Sequence, residues 1–344
     1  MHTPSSRSIA SAPERVHLAI ITAMSEELQP VLELSGSRND WRPLAISRYS
    51  HYYTEWSVGG QTCAVLACAQ GNYGGDETVA AVGRVAALRP RLMAMTGICA
   101  GRQESTRLGD LIVADRAYRP EEGKQTPGGF RPDIQTYQPP AWLLGRLREF
   151  AADTGWHRSI RTARPRSLRY QGEWLLCVVA RHGHPFPKND ADWQELRAGG
   201  IDAFAAHGWL RAKGWLDSSD QITEAGSAFL RELRMRNHGE LAPQPDPDTP
   251  RVHYGAFAST VPVVATDEPF LTYRQHIRKV EAIELEVRSL FAAAANQGIP
   301  AFAVKGVSDY ATPEKDDAFH DYAAEGAARW MQAFVLHNID LLSD

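Results

Sequence analysis

Three carboxylates lie far apart in the chain, each close to where an apolar run gives way to a turn. Glu27 follows the apolar residues 16–22 within Ala23-Met24-Ser25-Glu26-Glu27-Leu28. Glu286 closes Glu281-Ala-Ile-Glu284-Leu-Glu286, and Asp309 ends Ala301-Phe-Ala-Val-Lys305-Gly-Val-Ser308-Asp309. Separated carboxyl groups are the equipment of acid–base hydrolysis, one protonating a leaving group while another activates water. In open α/β sheets ligands bind at the carboxyl ends of the strands, which places Glu286 and Asp309 as site residues. A plainer role also fits each acid. Glu284 and Glu286 favour a helix N-terminus through its dipole, Glu26 and Glu27 suit a first helical turn, and Asp309 can cap the next helix. Position alone leaves both readings open.

The elements that must hold these acids follow from periodicity. Residues 281–286 read as the acidic start of a helix that continues through Leu290-Phe291 and four alanines and stops at Asn296-Gln-Gly298. Pro300 then opens a short apolar strand. Residues 16–22 read as a strand and Ser25 as the N-cap of a helix after it. Residues 49–56 and 61–68, joined by Gly59-Gly60, read as a hairpin. The loop Gln70-Gly71-Asn72-Tyr73-Gly74-Gly75-Asp76 frees the backbone for close approach to a ligand, with Asp76 capping a helix over 77–88. Residues 91–96 form a buried strand ending in Gly97-Ile98-Cys99-Ala100-Gly101, and residues 141–154 a helix. This alternation predicts an α/β fold, a largely parallel mixed sheet with helices on both faces.

A chain of 344 residues, 43% hydrophobic, can bury a substantial core. Its 37 basic and 41 acidic residues give a net charge of −4 and no global case for nucleic acid or membrane as partner. No run approaches the ~18 apolar residues of a membrane span. The first fifteen residues, rich in Ser, Ala and Pro, read as a disordered lead-in without a signal-type apolar core. Cys63, Cys68, Cys99 and Cys177 show no metal spacing and suit buried thiols in a cytoplasmic protein. No metal or cofactor is implied, since His182-Gly-His184 lacks further ligands.

Residues 156–250 read as an insertion. It opens with Arg158, Arg161, Arg164, Arg166 and Arg169, which could meet a 5′-phosphate chain or form a solvated arm. Helices are predicted over 193–198, 201–208 and 223–235, with short strands at 214–216 and 221–223. This order resembles a winged helix, followed by a Pro-rich exit linker over 242–250. Acids nearly balance bases there and no basic recognition helix is visible, so a protein-contact or lid role is preferred to DNA binding.

Glu284-Leu-Glu286 followed by Lys305-Gly-Val-Ser308-Asp309 resembles the E-M-E and R-x-x-S-D segments of the purine nucleoside phosphorylase and methylthioadenosine/S-adenosylhomocysteine nucleosidase superfamily. Ala23-Met24-Ser25-Glu26-Glu27 resembles the A-M-x-E-E opening of its hydrolytic members. Residues 97–101 and Gly109-Asp110 resemble its next two motifs, and the likeness covers roughly 16–154 and 251–341. The resemblance implies a three-layer α/β domain interrupted by the insertion. It implies that Glu27 activates water, that Asp309, held by Ser308, protonates the purine, and that Glu286 binds the ribose hydroxyls. Gly97 and Ile98 would run under the sugar and base, Gly71 would border the ribose and its 5′ substituent, and Leu285 would pack on the sugar in place of a methionine. Lys305 would replace the arginine.

Family phosphorylases hold phosphate where this chain has Met95 and Ile98, so hydrolysis of a purine nucleoside or nucleotide is favoured over phosphorolysis. The run from Lys305 to Lys315, with Tyr322-Ala-Ala, is similar to nucleosidase-like effector modules of bacterial antiviral proteins, some of which remove adenine from ATP. A homo-oligomer is expected by the same likeness. A phosphate-dependent phosphorylase and a non-catalytic nucleotide sensor or DNA-binding regulator are the alternatives.

Overall fold

The computed structural model describes residues 16–34, 40–44, 49–150, 155–186, 194, 196, 200–243, 249–313 and 317–342. The chain divides into two compact units, residues 1–163 with 249–344, and residues 164–248.

Among the described residues of the first unit, twelve strands precede or alternate with helices. They are β1 (Leu18–Thr22), β2 (Arg42–Leu44), β3 (His51–Val58), β4 (Gln61–Ala69), β5 (Leu92–Gly101), β6 (Leu111–Tyr118), β7 (Gly123–Thr126), β8 (Gly129–Pro132), β9 (Thr136–Tyr137), β10 (Val252–Ser259), β11 (Val280–Glu284) and β12 (Ala301–Asp309). The main sheet runs β11-β10-β6-β12-β5-β1-β4-β3-β2, and β11 also pairs with β5, so five strands close on themselves. β1, β4, β5 and β12 are joined by parallel pairings, whereas β12 meets β6 antiparallel. The sheet is therefore mixed. β1, β5 and β12 are nearly continuous runs of buried residues, as strands covered on both faces must be.

Helices supply the two covers. On one face α1 (Ser25–Leu32), α3 (Ala141–Glu149) and a long C-terminal helix, His320–His337, enclose a core that includes Phe150, Trp330 and Phe334. On the other, α2 (Gly75–Ala86) and the helix Val287–Asn296 pack Val82, Val85, Leu290 and Phe291 against the sheet. This is the three-layer α/β fold expected.

Several local readings are corrected. Residues 280–284 form a strand, and the helix begins only at Val287 with Glu286 in the cap position. Pairing of β11 with both β10 and β5 outweighs the helix propensity of Glu, Ala and Leu there. Ser25 is the first residue of α1 and caps nothing; Glu27 reaches back and accepts the Met24 amide instead. Gly74, not Asp76, holds the cap position of α2. α3 ends at Glu149, and β5 continues through the glycines to Gly101. The first fifteen residues lie outside the described part of the chain.

The second unit has its own core. α4 (Leu168–His182) is capped by Ser167, α5 (Ala203–Ala212) by Asp202, and α6 (Glu224–Arg236) by Thr223. Leu175, Leu176, Val179, Leu210, Leu230 and Leu233 meet between them. Gly172 is required where α4 meets α5, because a Cβ there would lie 2.2 Å from the Trp209 ring. The two expected short strands amount to one bridge, Leu216 to Ile222. Most of the expected helix over 193–198 and residues 244–248 of the expected linker lie outside the described residues. Residues 156–163, read as the start of the insertion, belong to the first unit, with Trp156 in its core. In the first unit the remaining helices are α7 (Pro269–His276), α8 (Val287–Asn296) and α9 (His320–His337).

Candidate active site

At the carboxyl ends of β1, β5, β11 and β12 lies a hollow of about 450 Å³. Glu27, Glu284, Glu286, Ser308 and Asp309 all line it, together with Ile98, Cys99 and Leu285. The three acids that the chain order separates by 282 positions thus share one cavity.

Glu27 stands on the first turn of α1 and is 6% exposed. Its Oε2 accepts the Ala23 amide at 2.8 Å and the Met24 amide at 3.1 Å, while Oε1 accepts the Ile98 amide at 2.8 Å. A carboxylate offers about four lone-pair positions, so these three donors leave capacity for one more. Gly97 makes this approach possible, since a Cβ there would lie 2.2 Å from Glu27 Oε1.

Glu286 heads α8. Its Oε1 accepts the Gly74 amide at 3.0 Å, and its Oε2 lies 3.4 Å from Lys305 Nζ. Lys305, 1% exposed, also lies 3.8 Å from Glu27 Oε1. Burial opposes its charge, but Glu27 and Glu286 outweigh burial and hold the ammonium protonated above the ordinary lysine range. One buried cation therefore links two of the acids. It sits behind the hollow rather than on its wall.

Asp309 closes β12. Its Oδ2 accepts the Ser308 hydroxyl at 3.0 Å and its Oδ1 accepts the Ala311 amide at 2.7 Å, orienting the carboxyl. Burial pushes the Glu284 carboxyl up to about 7, with Glu286 adding to the effect and Lys305 opposing it. Burial likewise raises the Cys99 thiol well above its ordinary value, keeping it protonated.

Not every expected residue reaches the wall. Gly71 does not line the hollow; its missing side chain makes room for the Tyr49 ring, and Tyr73 of the same loop lines the hollow instead. Of the arginine cluster, Arg158 and Arg161 do not line it either. Arg169 pairs with Glu173 and Arg166 lies over Tyr170, both within the second unit. Among the described residues no three His, Cys, Asp or Glu side chains are grouped to hold a metal. Sequence reasoning missed Glu284 as a site residue, although it stands only two positions before Glu286. It also missed His320 and Asp321, which α9 brings to the wall from just before Tyr322-Ala-Ala.

The fold and its acid-lined hollow define a class of α/β domain suited to acid–base cleavage of a small ligand. Residues 17–166 match the family model of the phosphorylase superfamily. The chain is similar to ATP nucleosidase Cap17 of Escherichia coli (strain KTE188), 24% identical over 98% of this chain and 52% of that protein. It spans about half the length of the curated relatives it matches. Its fold is similar to that of 5′-methylthioadenosine/S-adenosylhomocysteine nucleosidase from Neisseria meningitidis (TM-score 0.54, 14% identity, 93% of this chain and 99% of that one). It is also similar to futalosine hydrolase of Helicobacter pylori strain 26695 (TM-score 0.53, 14% identity, 93% and 97%). Family model, relative and fold point the same way: residues 17–166 match the phosphorylase superfamily, and the chain has a fold similar to that of these nucleosidases.

Proposed function

We propose that this protein hydrolyses the N-glycosidic bond of an adenine nucleoside or nucleotide. The observation that carries the reading is the convergence of Glu27, Glu286 and Asp309 on one hollow. Glu27 takes a proton from water through its remaining acceptor position as the water oxygen bonds to C1′. The electron pair of the breaking C1′–N bond goes to the purine, and Asp309, oriented by Ser308, delivers a proton to a ring nitrogen. Glu286 accepts hydrogen bonds from the ribose hydroxyls, and Leu285 and Ile98 pack on the sugar and base. Ile98 contributes its backbone amide to Glu27 and an apolar side chain to the wall, which supports water rather than phosphate as nucleophile.

The Cap17 relatives support ATP as substrate and an antiviral setting. A different observation favours a substrate without a 5′-phosphate chain: Glu26, Glu27, Glu284, Glu286, Asp309 and Asp321 line the hollow, with His320 the one basic side chain on the wall among the described residues. Met24, Tyr73 and Val263 at the wall are 37%, 55% and 59% exposed, which supports a second copy covering the mouth. The buried unpaired thiols suit a reducing, cytoplasmic compartment.

Incubating the protein with adenosine, methylthioadenosine, AMP and ATP, with and without phosphate, and resolving the products by chromatography tests the reading. Free adenine formed without phosphate is expected. Base release only when phosphate is present would make the protein a phosphorylase, and binding without base release would make it a sensor.

A further inference from the structure

Glu284 has no part in the chemistry above, yet like Glu27 its carboxylate accepts three hydrogen bonds. It ends β11 and is 6% exposed. Its Oε2 accepts the Glu286 amide at 2.7 Å and the Val287 amide at 3.0 Å. Its Oε1 is 2.5 Å from the Ser259 hydroxyl oxygen, which in turn accepts the Arg288 amide at 2.9 Å. Three consecutive backbone amides at the start of α8 are thus held by one carboxylate and the serine hydroxyl it orients. On the other side, the Glu284 carbonyl accepts the Thr260 amide at 2.8 Å, locking β11 to the end of β10.

The consequence falls on Glu286. Glu286 has a φ of −125° and a ψ of −38°, so it is not part of the helix, and no side chain of its own holds its backbone. Its direction is set by where the turn from β11 into α8 places its Cα. Glu284 grips that turn at the Glu286 amide itself, while the Gly74 amide and Lys305 hold the carboxylate at the far end. We infer that Glu284 is a positioning residue: through the Glu286 and Val287 amides, and through Ser259, it aims the Glu286 carboxylate at the substrate's ribose hydroxyls. The inference rests on the nucleosidase reading, which gives Glu286 that task. A displacement of about 1 Å in such a group can cost on the order of 10²-fold in rate.

A double-mutant cycle tests it with the whole chain and adenosine as substrate. Glu284→Ala is expected to lower kcat/KM about 30- to 100-fold, most of it as raised KM, because a ribose contact is lost. Glu284→Gln retains an acceptor for the two amides and is expected to recover activity to within about 5-fold of the parent. In a Glu286→Ala background, where no side-chain acceptor remains to be aimed, adding Glu284→Ala should change kcat/KM by less than about 3-fold. Should Glu284→Ala not fold, Ser259→Ala replaces it in the cycle, with the same pattern at about a third of the size. Equal losses from Glu284→Ala in both backgrounds, or a loss confined to kcat, would overturn the inference. Absence of adenine release by the parent protein would instead remove the nucleosidase reading beneath it, and the inference with it.

Discussion

Both units set cations beside acids, and they do so under opposite conditions. In the α/β unit Lys305 is 1% exposed and stands between Glu27 and Glu286, two carboxylates that are themselves buried. In the inserted unit Asp220 accepts from His207 at 2.7 Å and from Arg211 at 2.7 Å on the surface, the Arg211 side chain being 43% exposed. The shorter, better-formed contacts are the weaker ones. Water already solvates the surface group, so pairing adds little, whereas removing one member of a buried set leaves a charge with nothing to replace its hydration.

The comparison can be broken at several points. Lys305→Met should be the most damaging, destabilising the protein by about 3–5 kcal/mol in urea unfolding and abolishing adenine release, because Glu27 and Glu286 are left uncompensated. A loss below about 1 kcal/mol would show that the site is wetter than its burial indicates. Glu27→Gln keeps shape and removes the base. Turnover should fall 10²- to 10⁴-fold by chromatographic assay, at a smaller cost in stability than Lys305→Met, since general base catalysis is of about that size. Gly97→Ala places a methyl group against Glu27 Oε1 and should lower kcat about 10- to 100-fold with little change in KM.

The pH dependence of stability carries a definite sign. Burial holds the folded Glu284 carboxyl at about 7 against an ordinary 4.5, so the folded state binds that proton more tightly than the unfolded chain. Its contribution is complete below about 4.5 and is lost as pH rises to about 7. Urea midpoints measured between pH 5 and pH 8 should therefore decline less steeply for Glu284→Gln than for the parent. Asp220→Ala should do least. Its carboxyl is lowered chiefly by the His207 hydrogen bond and further by Arg211, yet the exposure of the group limits the loss to within about 1 kcal/mol, with adenine release unchanged.

Much of this was legible without coordinates, for reasons that differ by residue. β1, β5 and β12 announce themselves because strands covered on both faces must be continuously apolar, and glycines mark the end of β5. Asp309 ends β12, and Glu27 and Glu286 lie just past β1 and β11, so their type and place drew attention together. Glu284 was read as helix-start charge, since Glu-Ala-Ile-Glu suits a helix and the competing β11 ladder joins Ala282 to Gly101 of β5, far away in the chain, as well as to β10. α4 went unseen because the apolar face that defines it is complete only against Trp209 and Leu210 of α5. Asp110 shows the same limit. Burial pushes its carboxyl up, but His253, the Arg251 amide and Arg107 draw it below the ordinary range, and those partners assemble only in the fold.

Residue type and local spacing by themselves determined the α/β class, the layered arrangement and the chemical character of the site, since strand burial, glycine turns and carboxylate chemistry are properties of short stretches. Only the tertiary structure decided that Lys305 lies behind the wall holding two acids, that Glu284 grips the turn bearing Glu286, and that α9 brings His320 and Asp321 to the same hollow. Each depends on distances between segments remote in the chain, and electrostatic and hydrogen-bond energies are set by those distances and by the exclusion of water around them.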